Sequence, residues 1–216
     1  MKAWQKAAII GGAGAAAAAF ALTRLHLHDY ERYFPVEQGD VVLDVGAADG
    51  VFTSLAARKA SLVIAVEPEP RFGAVLRGRF SGSPNVVVVE KAASDRRGVL
   101  PFYPKGYSSS LINGREGTRV EVRADTLDNI ISELGVRRVD FVKMDIEGGE
   151  VEALEGAENV LRTARKVAVA AYHRVRPDIS PTYPWVEGFL RERGFNTITE
   201  SAGFFDGMGL VYAWRE

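Results

Sequence analysis

The sequence predicts an α/β fold, doubly wound about a mostly parallel sheet and closed by a terminal antiparallel hairpin. Three observations predict it. From Gly39 onward, short β-branched runs alternate with segments of helical period, the order that builds a parallel sheet with helices on both faces. VDFVKMD at 139–145 is apolar nearly throughout, as expected of a strand buried on both faces. LDVGAADG at 43–50 joins a buried strand to a helix through two glycines, the kind of turn at which such folds receive ligands.

In order along the chain, VVLDV at 41–45 is the first strand. GVFTSLAARKA follows with Val51, Phe52, Leu55 and Ala56 on one helical face. LVIAVE at 62–67 is the second strand, Pro70 to Phe80 a helix, and NVVVVEKA brings a third strand at 86–90. The alternation then breaks. Val99–Tyr103 and Thr118–Arg123 read as a hairpin joined by PKGYSSSLINGREG, a loop too long for a tight turn and of the kind that often carries function. Thr126 to Leu134 is helical with Asp125 as N-cap, 139–145 is the fourth core strand, and Glu150 to Ala164 is the next helix. KVAVAAYH at 166–173 is the fifth strand. After a proline-rich connection, Trp185 to Arg193 is helical, and Phe195–Thr199 pairs with Leu210–Trp214 across a turn at GFFDGMG. There are no repeats.

Composition excludes several functions. The chain has 216 residues, enough for one α/β domain of ordinary size, and 47% are hydrophobic, enough for a real core. Its 27 Lys and Arg against 28 Asp and Glu give no basic face of the kind nucleic-acid binding needs; Arg96-Arg97 and Arg137-Arg138 read as solvated surface. Without cysteine there are no disulfides, zinc-thiolate sites or thiol nucleophiles. The domain organisation is a lead-in over 1–38 and one catalytic domain over 39–216. Within the lead-in, Ala7 to Leu22 is an uncharged run of 16 residues, mostly alanine and glycine, between Lys6 and Arg24. It is shorter than the roughly 20 residues of a spanning helix. Membrane anchor, cleaved signal and packed helix all remain open for it. His26 and His28 have no identifiable partner and read as a polar lead-in segment.

The glycine turn narrows the ligand. A dinucleotide fingerprint needs glycine where this chain has Ala48, and Asp44 sets negative charge beside any diphosphate. The same carboxylate suits an ammonium group. Glu67 ends the second strand about 20 residues beyond Gly46, where an acid accepts both ribose hydroxyls. A nucleoside joined to an amino acid satisfies both acids, which describes S-adenosylmethionine, a cofactor made in the cytosol.

VVLDVGAADGVFTSLAA, AVEPEP, VVVVEKAASD, ADTLD and VKMDIEGGEVEALEGA, in this order over about residues 40–173, together resemble the FkbM family of S-adenosylmethionine-dependent methyltransferases. The resemblance implies the Rossmann-like sheet of class I methyltransferases. It also implies Asp44, Gly46 and Ala47 at the methionine end of the cofactor, Glu67 at the ribose, and Ala92 and Ala93 at the adenine, with Gly50, Pro68 and Asp145 as further cofactor-binding candidates. The chain departs from the family at Asp49, where Asn is common, at Val51, where an aromatic is common, and at AAYHR, where many members have an acid.

Methyl transfer to oxygen is an in-line displacement that needs positioning and removal of a proton. In this fold the acceptor site tends to lie at the carboxyl ends of strands four and five, which end here in Asp145 and His173. Either is a candidate base, His173 for its ordinary pKa near 6.5 and Asp145 by steering donor and acceptor; His173 can equally hold a loop carbonyl. Asp145, Glu147, Glu150 and His173 contain metal-ligand types, but Glu150 enters the helix, away from the strand end, and no metal site is assigned. Ser109 in the long loop, Glu147 in the turn and Tyr183 after the fifth strand are the acceptor-contact candidates. The expected acceptor is a hydroxyl or carboxyl of a small molecule, sugar or lipid-linked glycan, the last favoured if residues 7–22 contact a membrane. A nicotinamide-dependent oxidoreductase and a non-catalytic cofactor-binding scaffold are the alternatives.

Overall fold

The computed structural model describes residues 30–104, 111, 119–171, 182–201 and 209–216. The chain divides into two compact units, Met1–Pro35 and Val36–Glu216, and the described part of the first is a short run of turn and bend at 30–34. The segment 7–22 and residues 105–110, 112–118, 172–181 and 202–208 lie outside the described residues.

The second unit is built on a seven-stranded sheet. Its strands are β1 (Val41–Val45), β2 (Leu62–Val66), β3 (Val86–Val89), β7 (Phe141–Met144), β8 (Lys166–Ala170), β9 (Asn196–Ser201) and β10 (Gly209–Trp214), in the order β3-β2-β1-β7-β8-β10-β9. The first five pair in parallel. β10 runs antiparallel between β8 and β9, as the terminal hairpin predicts. Strand order reverses beside β1, so the crevice over the carboxyl ends of β1 and β7 is the topological switch point at which this architecture takes ligands.

Side-chain alternation assigns the two faces. Leu43, Val45, Ile64, Val66, Val142, Met144, Val167 and Val169 join one large core with α3 (Leu127–Glu133), α4 (Glu150–Glu155), α5 (Glu158–Thr163) and α6 (Tyr183–Glu192). On the opposite face α1 (Val51–Ala56) lays Phe52 against Phe141, ring centroids 5.9 Å apart. There α2 (Pro70–Phe80) packs Leu76 and Phe80 with Ala47 and Ala65. Pro70 opens α2, where a missing N–H costs nothing, and Arg77 and Arg79 occupy its last turn, at the negative end of the dipole.

Three local expectations are corrected. The helix expected over Glu150–Ala164 is two helices. The carbonyl of Gly156 leaves the helical ladder to accept from Asp128 N at 3.0 Å, and the Asp128 carboxylate accepts from Asn159 N and Val160 N, both at 2.9 Å. Asp128 is thus a tertiary cap for α5, and it starts a new helix where the old one stops. Asp125 is not the N-cap of α3 but the last residue of β6 (Val120–Asp125); the cap is Thr126, whose Oγ1 accepts from Asn129 N at 3.1 Å. A second, three-stranded sheet also forms: β6 pairs antiparallel with β5 (Gly98–Phe102) and parallel with the two-residue β4 (Ala92–Ala93). The hairpin was legible; β4 was too short to carry a period.

Candidate active site

β1 and β7 lie side by side with Asp44 in register with Lys143 and Val45 with Met144. Beyond them the two chains touch: Asp145 N donates to Val45 O at 3.0 Å. A Cβ on Gly46 would stand 1.9 Å from Asp145 O, and Gly46 has φ +76°. Only glycine meets both conditions, so Gly46 lets the end of β1 meet the end of β7.

The turn that follows closes on its own acceptors. Gly46 N and Ala47 N both donate to Val66 O, at 2.9 and 3.2 Å, and Gly50 N donates to Ala47 O at 2.8 Å. Ala48 takes the left-handed conformation at φ 48° and donates its N–H to Glu67 Oε2 at 2.9 Å. These four amides are therefore engaged within the turn and by its neighbours rather than offered to an anion. A pyrophosphate would find the amide of Ala48 already engaged by a carboxylate.

Glu67 is almost fully buried; its other oxygen, Oε1, accepts from Glu69 N at 2.8 Å. Burial raises its carboxyl to about pH 6, against the two backbone hydrogen bonds and the nearby Lys143 ammonium, which lower it. Pro68 beside it is half-buried. Asp44 is fully buried, with Oδ2 accepting from Thr53 Oγ1 of α1 at 2.6 Å and Oδ1 lying 3.0 Å from Lys143 Nζ. Lys143 also donates to Gly46 O at 2.7 Å. Sequence reading missed this lysine inside an apolar strand. The signal was present: Lys143 stands two residues before Asp145, as Asp44 stands two before Gly46, in what become adjacent parallel strands.

Asp145 ends β7 half-buried, and the turn after it is the next unusual backbone, with Glu147 at φ 57° and Gly148 at φ 114°. Glu150 is buried in the first turn of α4 and reaches back to accept from Gly148 N at 3.0 Å. The three acids that sequence reading brought together thus separate: Asp145 at the strand end, Glu147 half-buried on the turn, Glu150 folded under it. Leu111, the described residue of the long hairpin loop, lies over this turn, with its Cδ1 3.9 Å from where a Gly149 Cβ would be. Ala92 and Ala93 are buried in β4. Tyr183 opens α6, half-buried, with its ring against Gly209 and the large core. His173 and Ser109 lie outside the described residues. Among the described residues no group of three or more His, Asp or Glu could hold a metal ion, and no helix is long and apolar enough to cross a membrane.

A seven-stranded sheet with this order, a glycine turn after β1, an acid ending β2 and an acid ending β7 define the class I methyltransferase architecture. The methyltransferase FkbM domain matches residues 44–197, and the chain belongs to the FkbM methyltransferase family. Among its relatives, the 2-O-methyltransferase NoeI of Sinorhizobium fredii is 27% identical over 146 residues, 58% of this chain and 60% of that protein. The hexuronic acid methyltransferase AglP of Haloferax volcanii is 28% identical over 146 residues, 65% of this chain and 59% of that protein. The chain thus spans about three fifths of the length of these two curated relatives. Solved structures share the fold. The methyltransferase FkbM of Methylobacillus flagellatus superimposes with a TM-score of 0.61 at 18% identity, covering 84% of this chain and 45% of that one. Aeropyrum pernix fibrillarin, solved with natively bound S-adenosyl-L-methionine, gives 0.57 at 17% identity, covering 88% and 74%.

Proposed function

We propose that the protein is an S-adenosylmethionine-dependent O-methyltransferase acting on a hydroxyl or carboxyl of a small molecule, sugar or lipid-linked glycan. The observation that carries this reading is Glu67, a buried carboxylate at the end of β2 whose two oxygens face backbone amides of the glycine turn and its own loop. A carboxylate so held can accept two vicinal hydroxyls. The engaged Ala48 amide and the acidic surroundings argue against a dinucleotide and for a cationic ligand. O-methylation is supported by the family and by relatives named for 2-O- and hexuronic acid methylation.

S-adenosylmethionine, when bound, supplies a methyl group already activated by its sulfonium. The chain's own residues then bind and orient. Asp44, Gly46, Ala47 and Gly50 wall the methionine end, Glu67 and Pro68 take the ribose, and Ala92 and Ala93 flank the adenine. Asp145 faces the cationic centre from the end of β7 and, with His173, is assigned to positioning the acceptor and taking its proton. Glu147, Ser109 and Tyr183 are the acceptor contacts, and the packing of Leu111 over the Gly149 turn supports a role for the loop that carries Ser109. Residues 7–22 are the segment through which membrane contact would occur.

Calorimetric titration with S-adenosylhomocysteine, followed by labelled-methyl transfer across glycans and hydroxylated small molecules, tests the reading. Micromolar binding and transfer to one acceptor class are expected; absence of binding removes it.

A further inference from the structure

We propose that the cavity between α3 and α5 is a second ligand site, built for a phosphate monoester. It stands apart from the S-adenosylmethionine reading, because none of the cofactor or acceptor candidates lines it.

The cavity holds about 420 Å³, within the range of small-molecule sites. The connection from α3 into β7 lines it with Arg137 and Arg138, and α5 lines it with Arg162. Every acid of these segments is already engaged. The Asp128 carboxylate, which also lines the cavity, accepts from Asn159 N, Asn159 Nδ2 and Val160 N, each at 2.9 Å. Glu133 pairs with Lys91 at 2.8 Å and with Arg97. Asp140 pairs with Arg138 at 3.1 Å and Arg165 at 3.5 Å, and Glu158 pairs with Arg193. Arg137 and Arg162, both exposed, are left without an ion pair among the described residues. Two guanidinium groups from two different elements thus line one cavity with their charge unmatched.

The chemistry of the lining selects the ligand. Each guanidinium presents a planar fork of donors that fits two oxygens of one anion. A phosphate monoester carries about two negative charges and three terminal oxygens at neutral pH, so it can meet both forks, whereas a carboxylate satisfies one. The exposed hydroxyl of Ser132 adds a further donor at the rim. The remaining wall is apolar: Ile131 and Val160 are buried in the large core, and Val136 is packed against it. An organic group can lie on that wall, which favours an ester over the bare inorganic ion.

The test is calorimetric titration of the full chain at about 0.15 M salt, where loose surface attraction is screened. The probes are phenyl phosphate, phenol, inorganic phosphate, and phosphatidylcholine vesicles with and without phosphatidic acid. Phenyl phosphate should bind with a Kd below about 1 mM, more tightly than inorganic phosphate, and phenol should not bind. Arg137→Gln/Arg162→Gln removes two exposed, unpaired side chains and leaves the fold intact; it should weaken phenyl phosphate on the order of tenfold or more. Arg58→Gln, an exposed arginine outside the cavity, should bind as the wild type does. Binding of the phosphatidic acid vesicles alone, with the same dependence on Arg137 and Arg162, would support the site with a lipid headgroup as the source of the ester. Three results overturn the proposal: no saturable binding of any phosphate probe, wild-type affinity in the double variant, or an equal loss in Arg58→Gln. Inorganic phosphate as tight as phenyl phosphate, or phenol as tight, overturns the ester assignment.

Discussion

The two ends of the parallel sheet use the same residue types to opposite effect. At the amino ends of β1, β7 and β8, three acids meet three bases. Asp40 faces Arg165 and Lys166, at 3.1 and 3.4 Å, and Glu37 faces Lys166 at 2.9 Å. Asp140 faces Arg138 at 3.1 Å and accepts from Val41 N at 2.9 Å. At the carboxyl ends, Asp44, Glu67, Asp145, Glu147 and Glu150 gather, and Lys143, the buried cation among the described residues there, is paired with Asp44. Balanced charge stitches strands together and asks for nothing more. Excess negative charge over a switch point, held by a polar framework, favours a cationic ligand. The contrast supports the carboxyl end as the proposed site and the amino end as its scaffold.

The largest expected effect breaks this contrast most directly. Asp145→Asn should lower turnover by about 10²- to 10⁴-fold while leaving affinity for S-adenosylhomocysteine, which lacks the sulfonium charge that Asp145 is proposed to face, within a few-fold. Asp140→Asn, the matched change at the other end, should leave turnover alone and lower stability by about 1 kcal/mol, since its arginine partners are half exposed. Steady-state kinetics beside calorimetry and denaturant unfolding read all three quantities. Equal turnover losses at both ends would erase the distinction.

Next comes Gly46→Ala. The added methyl meets the backbone of Asp145 at 1.9 Å, at a position with φ +76°. Left-handed strain of roughly 1 kcal/mol and overpacking of about 2 kcal/mol should together cost about 3 kcal/mol of unfolding free energy. A melt unchanged from wild type would mean that β1 and β7 do not meet as described.

Glu67 gives two pH dependences of opposite sign. Its carboxyl keeps its proton to about pH 6 in the folded chain against 4.5 unfolded, so the native state binds more protons between those values. Its contribution to stability should therefore fall as pH rises through that window, by about 2 kcal/mol, and then level off. Cofactor affinity should instead rise across pH 6. The difference between wild type and Glu67→Gln, in melts and in titrations, isolates both. A ligand affinity flat across pH 6 would show that Glu67 does not accept from the ribose.

Much of this frame was legible in the sequence, because strand burial and the strand-to-helix glycine turn are local signals. Five parallel strands and the closing hairpin follow from runs such as VVLDV and LVIAV alone. What escaped depends on contacts between distant segments. Asp128 splits a helix 30 residues away by capping α5, which no window on Glu150–Ala164 reveals. Lys143 looked like a lone polar residue in a buried strand until the register set it beside Asp44. Around Asp44 the contacts with Thr53 and Lys143 come from other segments and were not read from the sequence. The acceptor-side candidates His173 and Ser109 lie outside the described residues.

The smallest expected effect separates side chain from backbone at the turn after β7. Glu147 holds φ 57° without being glycine, at a cost of roughly 1 kcal/mol. Glu147→Gly and Glu147→Ala both remove the carboxylate, yet only glycine relieves the strain, so the glycine variant should unfold about 1 kcal/mol later than the alanine variant. If the carboxylate meets the acceptor, both should lose turnover by the same factor, with KM raised for the acceptor and unchanged for the cofactor. If only the glycine variant loses turnover, the strained backbone is what matters, because it alone frees the turn that aims Asp145. At the balanced end of the sheet the described non-glycine residues all keep φ negative, so a corresponding Asp140→Gly gains nothing from relaxed strain and serves as the control.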